Sequence, residues 1–129
     1  MKKLYFFISL FAMFQATPAF AENLVDSYAA RLGRSDHFNS YGERLRSPAA
    51  IIRQDRANFH VFGRVDPEDE SDNFFISKQN RATLESLVRN SPLSDEVLDE
   101  IVNGKPLVEI TIWRRDSGRN YIEIKILRY

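Results

Sequence analysis

The last 23 residues of the chain limit its possible folds more than any other stretch. Val108, Ile110 and Ile112 alternate with Glu109 and Thr111, Ile122, Ile124 and Ile126 alternate with Glu123 and Lys125, and Asp116-Ser117-Gly118 lies between the two runs. A period of two flanking a glycine-containing break reads as a β-hairpin with one aliphatic and one polar face. With Gly118 at the left-handed position of a three-residue loop, Ile112 faces Ile122, Ile110 faces Ile124 and Val108 faces Ile126. On the other face Glu109 meets Lys125 and Trp113 meets Tyr121. A slip of one residue would turn every branched side chain outward, so this register is strongly specified. An isolated hairpin is only marginally stable, and the remaining chain must cover its aliphatic face.

The preceding residues read mainly as helices. Asn23 is placed to cap a short helix over residues 22–33, with Leu24, Val25, Tyr28, Ala29 and Leu32 on one face and Gly33 as its stop. The polar run from Arg34 to Arg46 reads as a loop holding at most one helical turn. Ser47-Pro48 is a cap and first-position pair for a helix to about Asn58. Residues 59–65 fit a helical continuation and a short strand equally, because Phe59 and Val61 alternate while Phe59 and Phe62 stand three apart. Ser77 caps a helix to about Arg89 with Leu84, Leu87 and Val88 buried, and Asn90-Ser91-Pro92 breaks it. Ser94 caps another, with Val97, Leu98, Ile101 and Val102 as its stripe, ended by Gly104 and Pro106. The expected architecture is α+β: three or four short helices packed on a C-terminal antiparallel β-hairpin, with residues 59–65 as the candidate third strand.

The first 21 residues stand outside that domain. Lys2 and Lys3, the apolar run Leu4–Phe14 and the ending Ala19-Phe20-Ala21 form a secretory leader. The run is shorter than the roughly 20 apolar residues a membrane crossing needs, so no membrane insertion is expected after cleavage. The reading is one domain, 22–129, in the periplasm or secreted. It holds 16 basic and 18 acidic residues, a net charge of −2, which excludes a basic footprint for nucleic acid. With no cysteine in the chain, thiol catalysis, disulfides and thiolate metal sites are excluded, and hydrophobic burial must hold the fold.

Chemical candidates are few. His37 and His60 are the only imidazoles, so any His-based mechanism must use one of them; His60, oriented by Asp55 or Asp66, is the stronger candidate general base and defines the alternative reading, a small exported hydrolase. No nucleophile elbow, zinc-binding helix or nucleotide loop is present. The segment Asp66–Asp72 carries Asp66, Glu68, Asp69, Glu70 and Asp72 and reads as a solvated acidic loop able to dock a basic partner. It lacks the glycine and the downstream glutamate of a calcium-binding turn, so no metal or cofactor is expected.

Arginine dominates the cations, with 13 Arg against three Lys in residues 22–129. Arg114, Arg115 and Arg119 flank the hairpin tip beside Trp113 and Tyr121. Arg, Trp and Tyr are the types enriched at binding hot spots, and the polar second face argues that this aromatic pair stays at least partly exposed. The favoured function is an exported non-enzymatic binding protein, such as an enzyme inhibitor, an immunity factor or an accessory of envelope assembly, contacting a protein partner through the tip. Mass spectrometry of the protein from an envelope fraction of its host should show a chain beginning at Glu22; recovery of the intact chain from the cytoplasm would overturn the expected localisation.

Overall fold

The computed structural model describes residues 22–128, so the expected leader, residues 1–21, lies outside the described residues. Strands β2 (Leu107–Arg114) and β3 (Asn120–Leu127) form the hairpin in the expected register, with Ile112 facing Ile122, Ile110 facing Ile124, Val108 facing Ile126 and Trp113 facing Tyr121. Gly118 adopts φ +82°, a backbone conformation that costs a side-chain-bearing residue strain. The tip is closed by the Arg115 N–H on the Arg119 carbonyl at 2.9 Å and the Gly118 N–H on the Arg115 carbonyl at 2.8 Å. Val108, Ile110, Ile112, Ile122 and Ile124 are buried, as the alternation requires.

The third strand is not where the sequence pattern put it. Residues 23–31, expected as a helix, form strand β1 (Asn23–Arg31), which pairs antiparallel with β2 and makes β2 the centre of the order β1-β2-β3. The misreading has a simple cause: Leu24, Tyr28 and Leu32 are four apart, a spacing that suits a helix face and is also two strand periods. A bulge between Leu24 and Asp26 further disturbs the alternation at the strand's start. Beyond it Tyr28, Ala30 and Leu32 point into the core and Ser27, Ala29 and Arg31 point away. Residues 59–65 supply no strand. Asn58–Phe62 is instead a π-helical turn continuing the preceding helix, and Gly63 ends it at φ +66°.

Being at an edge, β1 exposes backbone groups to pairing with a further strand. The acidic segment, expected to be solvated, is spent on that edge. The Ala29 N–H donates to Glu70 Oε1 at 2.7 Å, the Arg31 N–H to Asp69 Oδ1 at 2.8 Å, and the Glu70 N–H returns a bond to the Ala29 carbonyl at 2.8 Å. Asp26 works in the opposite sense, accepting the Ser27 N–H on Oδ1 and those of Asn73 and Phe74 on Oδ2. Glu68 pairs with the Arg31 guanidinium at 3.0 Å, a contact that holds its carboxyl below the usual range.

Helix α1 (Pro48–Ala57) starts where Ser47-Pro48 predicts, with the Ser47 hydroxyl accepting the Ala50 N–H. The expected single helix from Ser77 is two, α2 (Lys78–Ala82) and α3 (Leu84–Asn90). They divide at Thr83, whose hydroxyl and N–H both bond the Asn80 carbonyl and so compete with the regular ladder. Leu84 and Leu87 are buried as expected, and Val88 packs at the rim of the core. Helix α4 (Asp95–Asn103) starts at Ser94 and buries Ile101. Its C-terminal carbonyls are capped from the 34–46 segment, which forms a 3₁₀ turn at Arg34–His37. His37 sits between the Gly33 and Ile101 carbonyls at 2.7 and 2.8 Å, and Arg44 donates to the Val102 carbonyl.

These faces make unequal contributions to stability. Ile110→Ala should lower unfolding free energy by about 2–5 kcal/mol, the usual cost of emptying a buried aliphatic site, whereas Thr111→Ala should lose only its contact with the Ser27 hydroxyl at 3.2 Å. Urea denaturation of the two variants checks the assignment, and equal losses would contradict it.

Candidate functional site

Three places hold the residues singled out by the sequence: a buried charge cluster, the acidic segment already described, and the hairpin tip. The cluster is centred on Arg56, a residue the sequence reading passed over. Ile51 and Ile52 stand four residues before Asp55 and Arg56, so the helical period that buries the first pair carries the second inward too. Arg56 is fully buried. Its Nε donates to Asp55 Oδ2 at 2.7 Å, and its Nη1 donates to Asp72 Oδ1 at 2.9 Å and to the Glu70 carbonyl at 3.0 Å. The guanidinium carbon lies 4.0 Å from the Tyr28 ring centroid and 4.7 Å from that of Phe59, a cation–π arrangement drawing on β1 and the π-helical turn together.

His60 belongs to this cluster, with a different partner from those expected. Its Nε2 donates to Asp72 Oδ1 at 2.7 Å, so Asp72 rather than Asp55 or Asp66 orients the ring. The imidazole packs edge-on against Phe59, with centroids 5.0 Å apart, and its side chain is only 9% exposed. Asp72 also accepts the Phe75 N–H on Oδ2, so one carboxylate fixes Arg56, His60 and the turn that follows the acidic segment. Asp66 lies apart, against Gly33, where a Cβ would come within 2.8 Å of its Oδ2. Among the described residues no three His, Asp or Glu side chains converge as a metal-holding group.

Burial governs the electrostatics here. Asp55 and Asp72 share the single guanidinium of Arg56, and Asp55 is pushed up to about 8 by its removal from water, against the opposing pull of Arg56. Nearby Asp36, buried beneath the Asn58 side chain and the Gly33 N–H, is pushed up to about 6 for the same reason.

At the tip the structure divides the predicted residues. Arg114, Arg115 and Arg119 are exposed and Trp113 is half-buried. Tyr121, expected to stay partly open, is buried: its hydroxyl donates to Glu22 Oε2 at 2.7 Å and the Arg115 guanidinium lies 4.7 Å from its ring centroid. The chain entering β1 and a neighbouring arginine therefore cover the ring, a role that only the position of β1 makes available. Arg114 Nε donates to Asn120 Oδ1 at 3.2 Å. Among the described residues neither Arg115 nor Arg119 meets a carboxylate. Beside the tip, Asn80, Asn90 and Asn120, none of them singled out by sequence pattern, line a groove running along α3.

A pH test follows from the buried carboxyls. Because folding raises the affinity of Asp36 and Asp55 for protons, their contribution to stability is full below about pH 4 and is lost as the pH rises through about 6 and then about 8. The urea midpoint should therefore fall between pH 6 and pH 8, and Asp55→Asn should flatten that decline. An unchanged slope in the variant would show that Asp55 does not hold its proton in this range.

Comparison of the chain with protein-family models, with curated proteins and with solved structures gives no match in any of the three.

Proposed function

We propose that the protein is an exported, non-enzymatic binding protein, of the kind that inhibits an enzyme, confers immunity or assists an envelope assembly, and that it meets its protein partner through the hairpin tip. The observation that carries this reading is the pair Arg115 and Arg119, exposed on a tightly closed tip and without an acidic partner among the described residues. Most of the other site-like groups are engaged within the chain: Glu68, Asp69 and Glu70 along the surface of β1, and Asp72 and His60 around the buried Arg56. Arginine presented on a short, hydrogen-bonded loop loses little freedom on binding and offers a planar fork to a carboxylate. Trp113, half-buried against β1, supplies apolar area next to that charge. In this reading Tyr121 acts as the platform on which Arg115 is held.

The hydrolase alternative has one point in its favour, an imidazole oriented by a buried carboxylate at 2.7 Å. Against it, the same imidazole is nearly enclosed and packed on Phe59, which leaves little access for a substrate.

A photo-crosslinking amino acid at Ser117, in cells making the full chain, should give a discrete protein adduct on irradiation. The same group at Lys125, on the strand away from the tip, should give none. Adding Arg115→Ala and Arg119→Ala should abolish the Ser117 adduct, and Arg119→Ala alone, which removes an exposed side chain, should weaken it without lowering the melting temperature. A Ser117 adduct that survives both substitutions, or no adduct at all, would overturn the assignment of the tip as contact surface.

A further inference from the structure

Two adjoining hollows of about 390 and 240 Å³ share Asn90, Arg119 and Asn120 and together form the groove between α3 and the hairpin tip. The first reaches down to Phe74 and Leu87; the second is walled by Arg115 and Tyr121. Among the described residues no aspartate or glutamate lines either one. We infer that this groove takes a carboxylate-bearing segment of a protein partner, in which an acidic side chain stands beside an aliphatic one. The inference rests on the tip reading above and names the chemistry the partner must present there.

At the tip end of the groove the polar atoms are mainly donors, whereas farther along Asn80 and Asn90 spend an amide N–H on the Phe74 carbonyl and the Ser86 hydroxyl. Arg114 Nε already occupies Asn120 Oδ1, which leaves the Asn120 amide nitrogen free to donate. The Arg119 side chain has no hydrogen bond or ion pair among the described residues. Arg115 stacks over Tyr121, which restrains its rotamers while its N–H groups stay accessible. At that end two guanidinium groups and an amide donor suit a ligand group that accepts, and an ionised carboxylate meets an arginine fork with two parallel bonds. Phe74 and Leu87 add an apolar floor suited to an aliphatic neighbour. A phosphate backbone is a poorer fit: nucleic acid needs a basic stripe, whereas here a few arginines sit at one tip of a domain with net charge −2.

The test uses ¹⁵N-labelled protein purified from cells expressing the full chain, titrated with three probes: the peptide acetyl-Leu-Glu-Leu-Glu-amide, its counterpart with glutamine for glutamate, and an oligothymidylate. The acidic peptide should shift the side-chain amide signals of Asn90 and Asn120 and the Nε signal of Arg119 saturably, while the other two probes leave them in place. Arg119→Ala should weaken the peptide at least about tenfold, and Arg119→Lys, which keeps the charge and loses the fork, should weaken it by less. Equal shifts with the glutamine peptide, stronger shifts with the oligonucleotide, indifference to the Arg119 substitutions or no shift at all would each overturn the inference. The crosslinking result separates the two readings. An adduct at Ser117 with a silent groove keeps the tip and discards the acidic ligand; a responsive groove without an adduct discards the tip as contact surface.

Discussion

The contacts of Arg56 tie together parts of the chain that would otherwise have little to hold them. Its guanidinium links α1 to the acidic segment through Asp72 and the Glu70 carbonyl, and lies against Tyr28 of β1 and Phe59 of the π-helical turn. A buried guanidinium needs its charge paired, which Asp55 and Asp72 do through Nε and Nη1 while Nη2 has no hydrogen-bond partner among the described residues, and removing one partner from such a group commonly costs about 3–5 kcal/mol. Conversely, Asp55 and Asp72 need Arg56, because burying either carboxylate unpaired would be at least as unfavourable. The cluster therefore fixes the loop from Gly63 to Asn73 in place, and the fixed loop puts its carboxylates against β1.

That placement explains why the carboxylates of so acidic a segment are committed to partners within the chain although Glu68 and Glu70 stay exposed. Glu70 and Asp69 satisfy backbone donors of an edge strand that would otherwise be open to pairing with another chain, and Glu68 neutralises Arg31. An acidic loop spent in this way protects the sheet edge without an additional strand. At the other end of the sheet the charges are arranged differently. Among the described residues no carboxylate is set against the arginines of the tip, so the domain, slightly negative as a whole, presents a local cationic point beside a groove lined with amides. A partner that approaches by charge has a defined place to dock.

Local signals in the sequence survived where local physics decides the outcome. Ser47, Ser77 and Ser94 each cap a helix, because a hydroxyl one residue before the first turn can satisfy a free N–H whatever the rest of the chain does. Thr83 is the counterexample within the same region: a β-branched hydroxyl residue that reads as helix interior used its side chain to bond Asn80 and split the helix. At the candidate site, arginines at the tip were visible from spacing alone. The burial of Tyr121 was not, since its cover comes from Glu22, 99 residues earlier in the chain.

The sequence by itself determined the hairpin, its register and the inward face, because strict alternation about a glycine leaves one pairing that turns all the hairpin's branched aliphatic residues inward, with Ile126 only partly buried at the rim. It also determined that the fold must be α+β and hold without disulfides. Only the tertiary structure decided that residues 23–31 are a strand, since Leu24, Tyr28 and Leu32 satisfy both periods and the vacant edge of β2 settles the choice. Only it decided that the acidic residues bond β1 and Arg56. Hydrogen bonds between residues about 40 apart in sequence, such as Ala29 to Glu70, leave no periodic trace in the chain.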